Sequence, residues 1–361
     1  MNANHIIGGN HIKSNRNLLT GFKIGFLFIG TVIGAGFASG KEILVFFGNS
    51  GKYFWLVCSL CSILFALIAM LFMIRAKTLN LYNLSDLSKQ TFKKGHAVFD
   101  LFIIAAQLIV LAAMLAGIDS LFIEILGFNS RFPLFSLFSL ILCCVVISFG
   151  ISGVLEVNSV LVPVIIIFIV LIVIFKPKIN ADILASDVLK QSGILPSALS
   201  CMLYVGMNML LSVNVLISPC KTLSKRQIIT GAVFGAICIS ALMFIIGANI
   251  FSSSTDILKV DMPLLFLTNG MPNLFKLISA IVVWCGIFTT MISSMFPIVE
   301  YAKPFFKNKF LNILMVSGIG FGLSRAGFYI IVKYLFPVLG TIGSIFIVIF
   351  YFATKNKGYK L

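Results

Sequence analysis

The chain has 361 residues, of which 60% are hydrophobic and only 11% charged, and its mean hydropathy is +1.10. A soluble core of this size does not need so many apolar residues, and several runs exceed the roughly 18 that span a bilayer as a helix; the runs are continuous rather than alternating, which excludes a β-barrel. The net charge of +16 reads as the basic bias of cytoplasmic loops in a polytopic membrane protein, without a nucleic-acid partner.

In chain order, residues 1–18 form a polar tail that lacks the pattern of a cleavable signal. Apolar runs between charged or turn-rich breaks then predict ten spans. They fall at about 19–47, 53–74, 97–119, 133–150, 154–175, 193–217, 227–251, 273–299, 309–324 and 327–353. The first five make one unit, residues 19–175, and the last five a second, residues 193–353, with a short tail at 354–361. With the N-terminus inside, 17 of the 27 basic residues lie on the cytoplasmic side, among them Lys23, Arg75, Lys89, Lys221 and Lys303. Both termini are therefore expected in the cytoplasm of a multi-pass cell-membrane protein.

Span 1 carries the strongest local signal, the stretch GTVIGAGFASG from Gly30 to Gly40. Four glycines in eleven residues penalise regular helix by about 1 kcal/mol each relative to alanine. Backbone groups released within a membrane must face protein, water or a ligand. A break at Gly34-Ala35-Gly36 would aim amide groups at a carboxylate, since secondary transporters bind substrates at discontinuous helices. Gly30 and Gly34 also have the spacing of a tight helix crossing. Lys41 and Glu42 follow as an adjacent opposite-charge pair, placed either to gate access or to face solvent.

An offset of 172 lays Val32-Ile33-Gly34 on Tyr204-Val205-Gly206, and Phe149-Gly150-Ile151-Ser152 on Phe321-Gly322-Leu323-Ser324. Pro163 and Pro337 follow at an offset of 174. Two halves of five spans each would lie in the membrane with opposite orientation. The repeat predicts a second break in span 6 over Tyr204–Asn208, with Tyr204, Gly206 and Asn208 beside the substrate. Span 3 contributes Gln107 near its middle, while Asp100 and Asp119 lie near its two ends, where water would reach them. The eight cysteines read as small apolar packing groups, and His5, His11 and His96 all fall outside the spans.

A glycine-interrupted span 1, an interrupted span 6 and inverted five-span halves resemble the leucine-transporter (LeuT) fold of the amino acid–polyamine–organocation superfamily. The stretch FIGTVIGAGFASGKEI, residues 28–43, is especially similar to the YkvI-like amino acid permeases. The resemblance implies an all-α protein with about ten transmembrane helices, in which spans 1 and 6 and their partners rock against spans 3, 4, 8 and 9. It also implies a sodium site made by the carbonyls of Gly30, Ile33 and Thr290 and the hydroxyls of Ser293 and Ser294. Serine and threonine hydroxyls in a membrane helix equally bond back to their own backbone. Proton-coupled relatives carry a lysine on span 5; here that span has none, and Asn158 is its main polar residue. Span 3 also lacks the tyrosine that such relatives offer to a carboxylate.

These features predict a sodium symporter of a small neutral amino acid or related amine, with no cofactor beyond the coupling ion. Proton coupling and a non-transporting amino acid sensor are the alternatives. With no spanning histidine, paired intramembrane carboxylates or metal-ligand cluster, an enzyme is not expected, and no obligatory protein partner is evident beyond the bilayer.

Overall fold

The computed structural model describes residues 4–126, 133–175, 193–253, 255–258, 260, 262–268, 271–305, 308–326 and 331–355. Its regular structure among these residues is entirely helical. Seven helices are long and apolar enough to cross a membrane, and three shorter apolar helices accompany them. Together they account for the ten predicted spans.

Span 1 is split into α1 (Asn4–Val32), α2 (Ala35–Ser39) and α3 (Lys41–Phe47). Next come α4 (Phe54–Leu79), α5 (Leu84–Phe92) and α6 (His96–Leu126). The first half closes with α7 (Leu134–Ser148) and α8 (Ile151–Phe175). The second half is α9 (Ile194–Ile217), α10 (Lys225–Phe251), α11 (Pro263–Phe266), α12 (Asn273–Ala302), α13 (Lys309–Leu323) and α14 (Phe336–Lys355).

Three elements depart from the expected layout. The stretch expected as a tail is helical from Asn4 onward and continuous with span 1. The loop between spans 2 and 3 contains α5, whose start is capped by the Asn83 side chain accepting from the Asp86 N–H at 2.9 Å. Leu84 and Leu87 bury its apolar stripe; nine residues with mixed polarity were too few to read as an element. The connection from α10 to α12 folds as a short 3₁₀ turn, Thr255–Leu258, and α11, which packs against α2 and α12.

The offset of 172 does not reproduce the same local structure twice. Gly150 has φ +68° and makes the left-handed turn between α7 and α8. Its counterpart Gly322 lies in the last turn of α13 with no positive φ. Pro163 is inside α8, whereas Pro337 follows directly on the π-helical turn Ile331–Leu335 that leads into α14.

The core brings α1 against α10, α8 and α9, and α12 against α6 and α8. Helices α9 and α14 run together along a seam of Gly206, Gly340 and Gly343. A Cβ on Gly206 would come within 2.6 Å of the Gly340 carbonyl oxygen, so the two backbones touch.

Candidate substrate and cation site

The site begins where α1 stops. The Ile33 N–H still bonds the Ile29 carbonyl at 2.8 Å, but the Gly34 N–H turns to the Val32 carbonyl at 2.9 Å. The Gly30 carbonyl, which a continuing helix would pair with the Gly34 N–H, is thereby released. It accepts instead from the Thr290 hydroxyl of α12 at 3.1 Å. Gly34 is extended, with φ −92° and ψ −166°, and its carbonyl accepts from the Ala38 N–H at 2.8 Å to start α2. The expected break at Gly34 is therefore present, and Ala35 and Gly36 form the first turn of α2. At Gly40, φ of +82° makes the second bend.

Close packing holds this break against two helices. A Cβ on Gly34 would meet the Thr290 side chain at 3.0 Å. A Cβ on Gly30 would fall 1.6 Å from Oδ1 of Asn158 on α8, and one on Gly286 of α12 would lie 3.3 Å from the Ile33 carbonyl oxygen. Asn158 is fully buried and donates through Nδ2 to the Val154 carbonyl at 2.7 Å. Its Oδ1 has no hydrogen-bond partner. In the sequence Asn158 is only the main polar residue, beyond Glu156, of a span that lacks the lysine of proton-coupled relatives. Its position beside Gly30 depends on the crossing of α1 and α8, which no local pattern encodes.

The remaining cation candidates lie one turn along α12. Ser293 and Ser294 are buried, and at three and four residues from Thr290 they share its helix face. Their hydroxyls donate to their own helix, Ser293 to the Thr289 carbonyl at 2.9 Å and Ser294 to the Met291 carbonyl at 3.1 Å. The local hydroxyl-to-backbone pattern thus holds for both. Of the set read from the sequence, the Gly30 carbonyl and Thr290 are in direct contact, through the threonine hydroxyl.

Span 6 corrects the second expected break. Helix α9 is unbroken through Tyr204–Asn208. One glycine costs about 1 kcal/mol in a helix, and here its missing side chain lets α14 approach. Gly206 faces that seam, roughly 200° around the helix from Tyr204 and Asn208, so it is a packing residue. The Asn208 side chain donates to the Tyr204 carbonyl at 3.0 Å within α9. Tyr204 is fully buried, its ring 5.3, 5.1 and 6.0 Å from the rings of Phe46, Phe47 and Phe65. Gln107 donates to the Leu211 carbonyl at 2.7 Å and ties α6 to α9.

Lys41 and Glu42 diverge. Lys41 reaches the Val260 carbonyl at 2.7 Å, holding α3 under the α10–α12 connection. Glu42 turns into the bundle and is 3% exposed. Neither residue is solvated. Asp100 is also buried, beside Ser88 of α5, contrary to the wetted position expected for it. Asp119 meets Arg325 at 3.5 Å, linking α6 to the end of α13.

At the end of the bundle where α4, α9 and α12 terminate, a cavity of about 410 Å³ opens between α5, α9 and α12. Asn214, Ser218, Pro297 and Tyr301 are among its walls, and neither polar atom of the Asn214 amide has a hydrogen-bond partner.

No family model matches the chain. It is similar to the uncharacterized membrane protein YkvI of Bacillus subtilis (strain 168), with 25% identity over 340 residues, covering 90% of this chain and 93% of YkvI. The same architecture occurs in MhsT, solved in complex with L-phenylalanine, with a TM-score of 0.71 and 14% identity over 91% of this chain and 88% of MhsT. The chain has the LeuT fold. A Na+-coupled sialic acid symporter, solved substrate-bound and outward-open, matches with a TM-score of 0.65 and 15% identity over 93% of this chain and 79% of its own. The likeness to YkvI and the shared fold both agree with the resemblance carried by residues 28–43.

Proposed function

We propose that the chain is a secondary active transporter of a small neutral amino acid or related amine, driven by sodium and working by alternating access. The observation that carries this reading is the released Gly30 carbonyl at the α1 break, set among Thr290 and the unpartnered Asn158 oxygen. Hard monovalent and divalent cations select uncharged and anionic oxygen ligands. These groups supply uncharged oxygens in a buried place, so the residues present fit sodium, with Ile33, Ser293 and Ser294 as further donors. The amides entering α2 beside Gly34, Ala35 and Gly36 would receive a carboxylate. Two solved proteins of this fold support the class: one is described with L-phenylalanine and one as Na+-coupled. We place the protein in the cell membrane with both termini and the 410 Å³ cavity on the cytoplasmic side, following its basic residues.

The test is uptake of a panel of labelled amino acids by purified protein in liposomes, with an inward sodium gradient, a proton gradient, or neither. Sodium-driven accumulation of one compound is expected. Binding without uptake under any gradient would instead make the protein a sensor.

The α12 hydroxyls give a narrower expectation. Ser293→Ala with Ser294→Ala leaves the fold intact, because both hydroxyls bond only within their own helix. The sodium concentration for half-maximal uptake should rise about tenfold, equivalent to ~1.4 kcal/mol. An unchanged sodium dependence in this double variant would remove both serines from the cation site.

A further inference from the structure

Glu42 poses a problem that the sodium site does not solve. It lies in the membrane-spanning bundle, 3% exposed, and Oε2 of its carboxyl has no hydrogen-bond partner. Its carboxyl also meets the backbone N–H of Phe37 in α2. An ionisable side chain inside a membrane is expensive and is kept where it acts. A buried carboxylate needs a cation, several strong donors, or a proton.

The surroundings of Glu42 can be taken element by element. Helix α3 packs against α2, α9, α10 and the turn 331–335. Helix α2 carries no titratable group, and the basic residues of α10, Lys225 and Arg226, stand at its far end. Lys333 and Tyr334 in the turn are exposed. Lys41 on α3 itself is turned to the Val260 and Leu258 carbonyls. Helix α9 presents Tyr204, which interacts electrostatically with Glu42 and whose hydroxyl also lacks a hydrogen-bond partner. Beyond Tyr204 lie the Cys58 and Cys61 thiols of α4. Among the described residues Glu42 has no ion pair. The aromatic rings of Phe46, Phe47 and Phe65 pack around Tyr204, which is fully buried, so the place is tight for an organic cation.

We propose that Glu42 is a proton-binding site: its carboxyl takes up a proton from the outer solution when α3 packs onto α9 and Tyr204, and releases it when that half of the bundle opens. Protonation removes the uncompensated charge from a carboxyl whose Oε2 has no donor to meet it. Closure of the outer half is then proton-dependent, in addition to any sodium held at Gly30 and Thr290. This rests on the transport reading only for its consequence in the cycle; the protonation itself stands apart from it.

The experiment compares infrared spectra of the full chain in lipid at neutral pH, wild type against Glu42→Gln. The expected result is a protonated-carboxyl C=O band in the wild type that is lost in the variant. Identical bands in the two proteins would overturn the proposal. Should the glutamine variant fail to fold, Glu42→Asp keeps a carboxyl, and its band must shift in frequency; an unshifted band overturns the proposal equally. A second arm uses the amino acid identified by the uptake panel. Uptake by the wild type should fall as the outer pH is raised, and uptake by Glu42→Gln should lose that pH dependence. A variant that keeps the wild-type pH profile would refute the role in closure. Failure of the wild type to transport anything would refute the transport reading, while the infrared comparison would still decide the state of Glu42.

Discussion

Gly30→Ala is expected to abolish sodium-driven uptake and to lower the melting temperature of the purified protein. The added Cβ would stand 1.6 Å from Asn158 Oδ1, 2.7 Å from its Cγ and 3.1 Å from Val162 Cγ2. Asn158 cannot simply rotate away, because its Nδ2 is fixed to the Val154 carbonyl and the side chain is fully buried. Forcing one methyl into a packed interior typically costs about 1–3 kcal/mol. Separation of α1 from α8 would also carry the Gly30 carbonyl away from Thr290. Two measurements divide these effects. Adding Asn158→Ala should return most of the lost stability, since it removes the clashing atom. It should not return the sodium response, since it also removes an oxygen from the cation site. Recovery of both would assign Asn158 to packing alone. Gly34→Ala is the milder companion: its backbone is extended rather than left-handed, and the three atoms nearest the new Cβ all belong to the Thr290 side chain, the first at 3.0 Å. It should fold nearly as well as the wild type and show a weakened sodium dependence.

Much of this architecture was legible in the sequence, for reasons that differ between residues. The ten apolar spans follow from the bilayer itself, which imposes length and hydropathy on every crossing segment. The break in span 1 was readable because four glycines cluster there, and Gly34 and Gly40 occupy the two bends that divide α1, α2 and α3. The same reasoning failed at Gly206. A lone glycine specifies only that something comes close, and at Gly206 it is the backbone of α14 rather than a substrate. The resemblance implied the carbonyl of Thr290 as a ligand, whereas it is the Thr290 hydroxyl that meets Gly30. Asn158 and Glu42 show the limit most clearly. Each is a single polar letter in an apolar run, and its meaning is set by which helix crosses it. The α8 crossing puts Asn158 against Gly30, and the turn at Gly40 rotates Glu42 inward while Lys41 reaches outward to Val260.

Gly343→Ala should be the more destructive substitution for the fold and the less informative one for transport. Its Cβ would lie 2.0 Å from the Gly206 carbonyl oxygen and 2.5 Å from the Gly206 carbonyl carbon. These are backbone atoms of a continuous helix, so no side-chain rotation can relieve the contact. The reciprocal positions are as tight: a Cβ on Gly340 would meet the Leu203 carbonyl oxygen at 2.5 Å, and one on Gly206 would meet the Ser344 nitrogen at 2.7 Å. Membrane helices gain little from burying apolar surface against one another, because lipid is equally apolar. Their association depends on close approach, which allows dispersion contacts and weak Cα–H to carbonyl bonds. Parting α9 from α14 forfeits both along the whole seam, and the loss should reach the upper end of the ~1–3 kcal/mol expected for overpacking. Thermal unfolding in detergent would measure it, and an unchanged melting temperature would show that the seam is looser than described. Adding Gly206→Ala should worsen the defect, whereas Asn158→Ala relieves Gly30→Ala, because one clash is with backbone and the other with a removable side chain. The folded fraction of Gly343→Ala should retain sodium-driven uptake, since the α1 break and Thr290 lie on other helices. Stability and transport thus separate along different glycines, which is how a packing role is distinguished from a cation-site role.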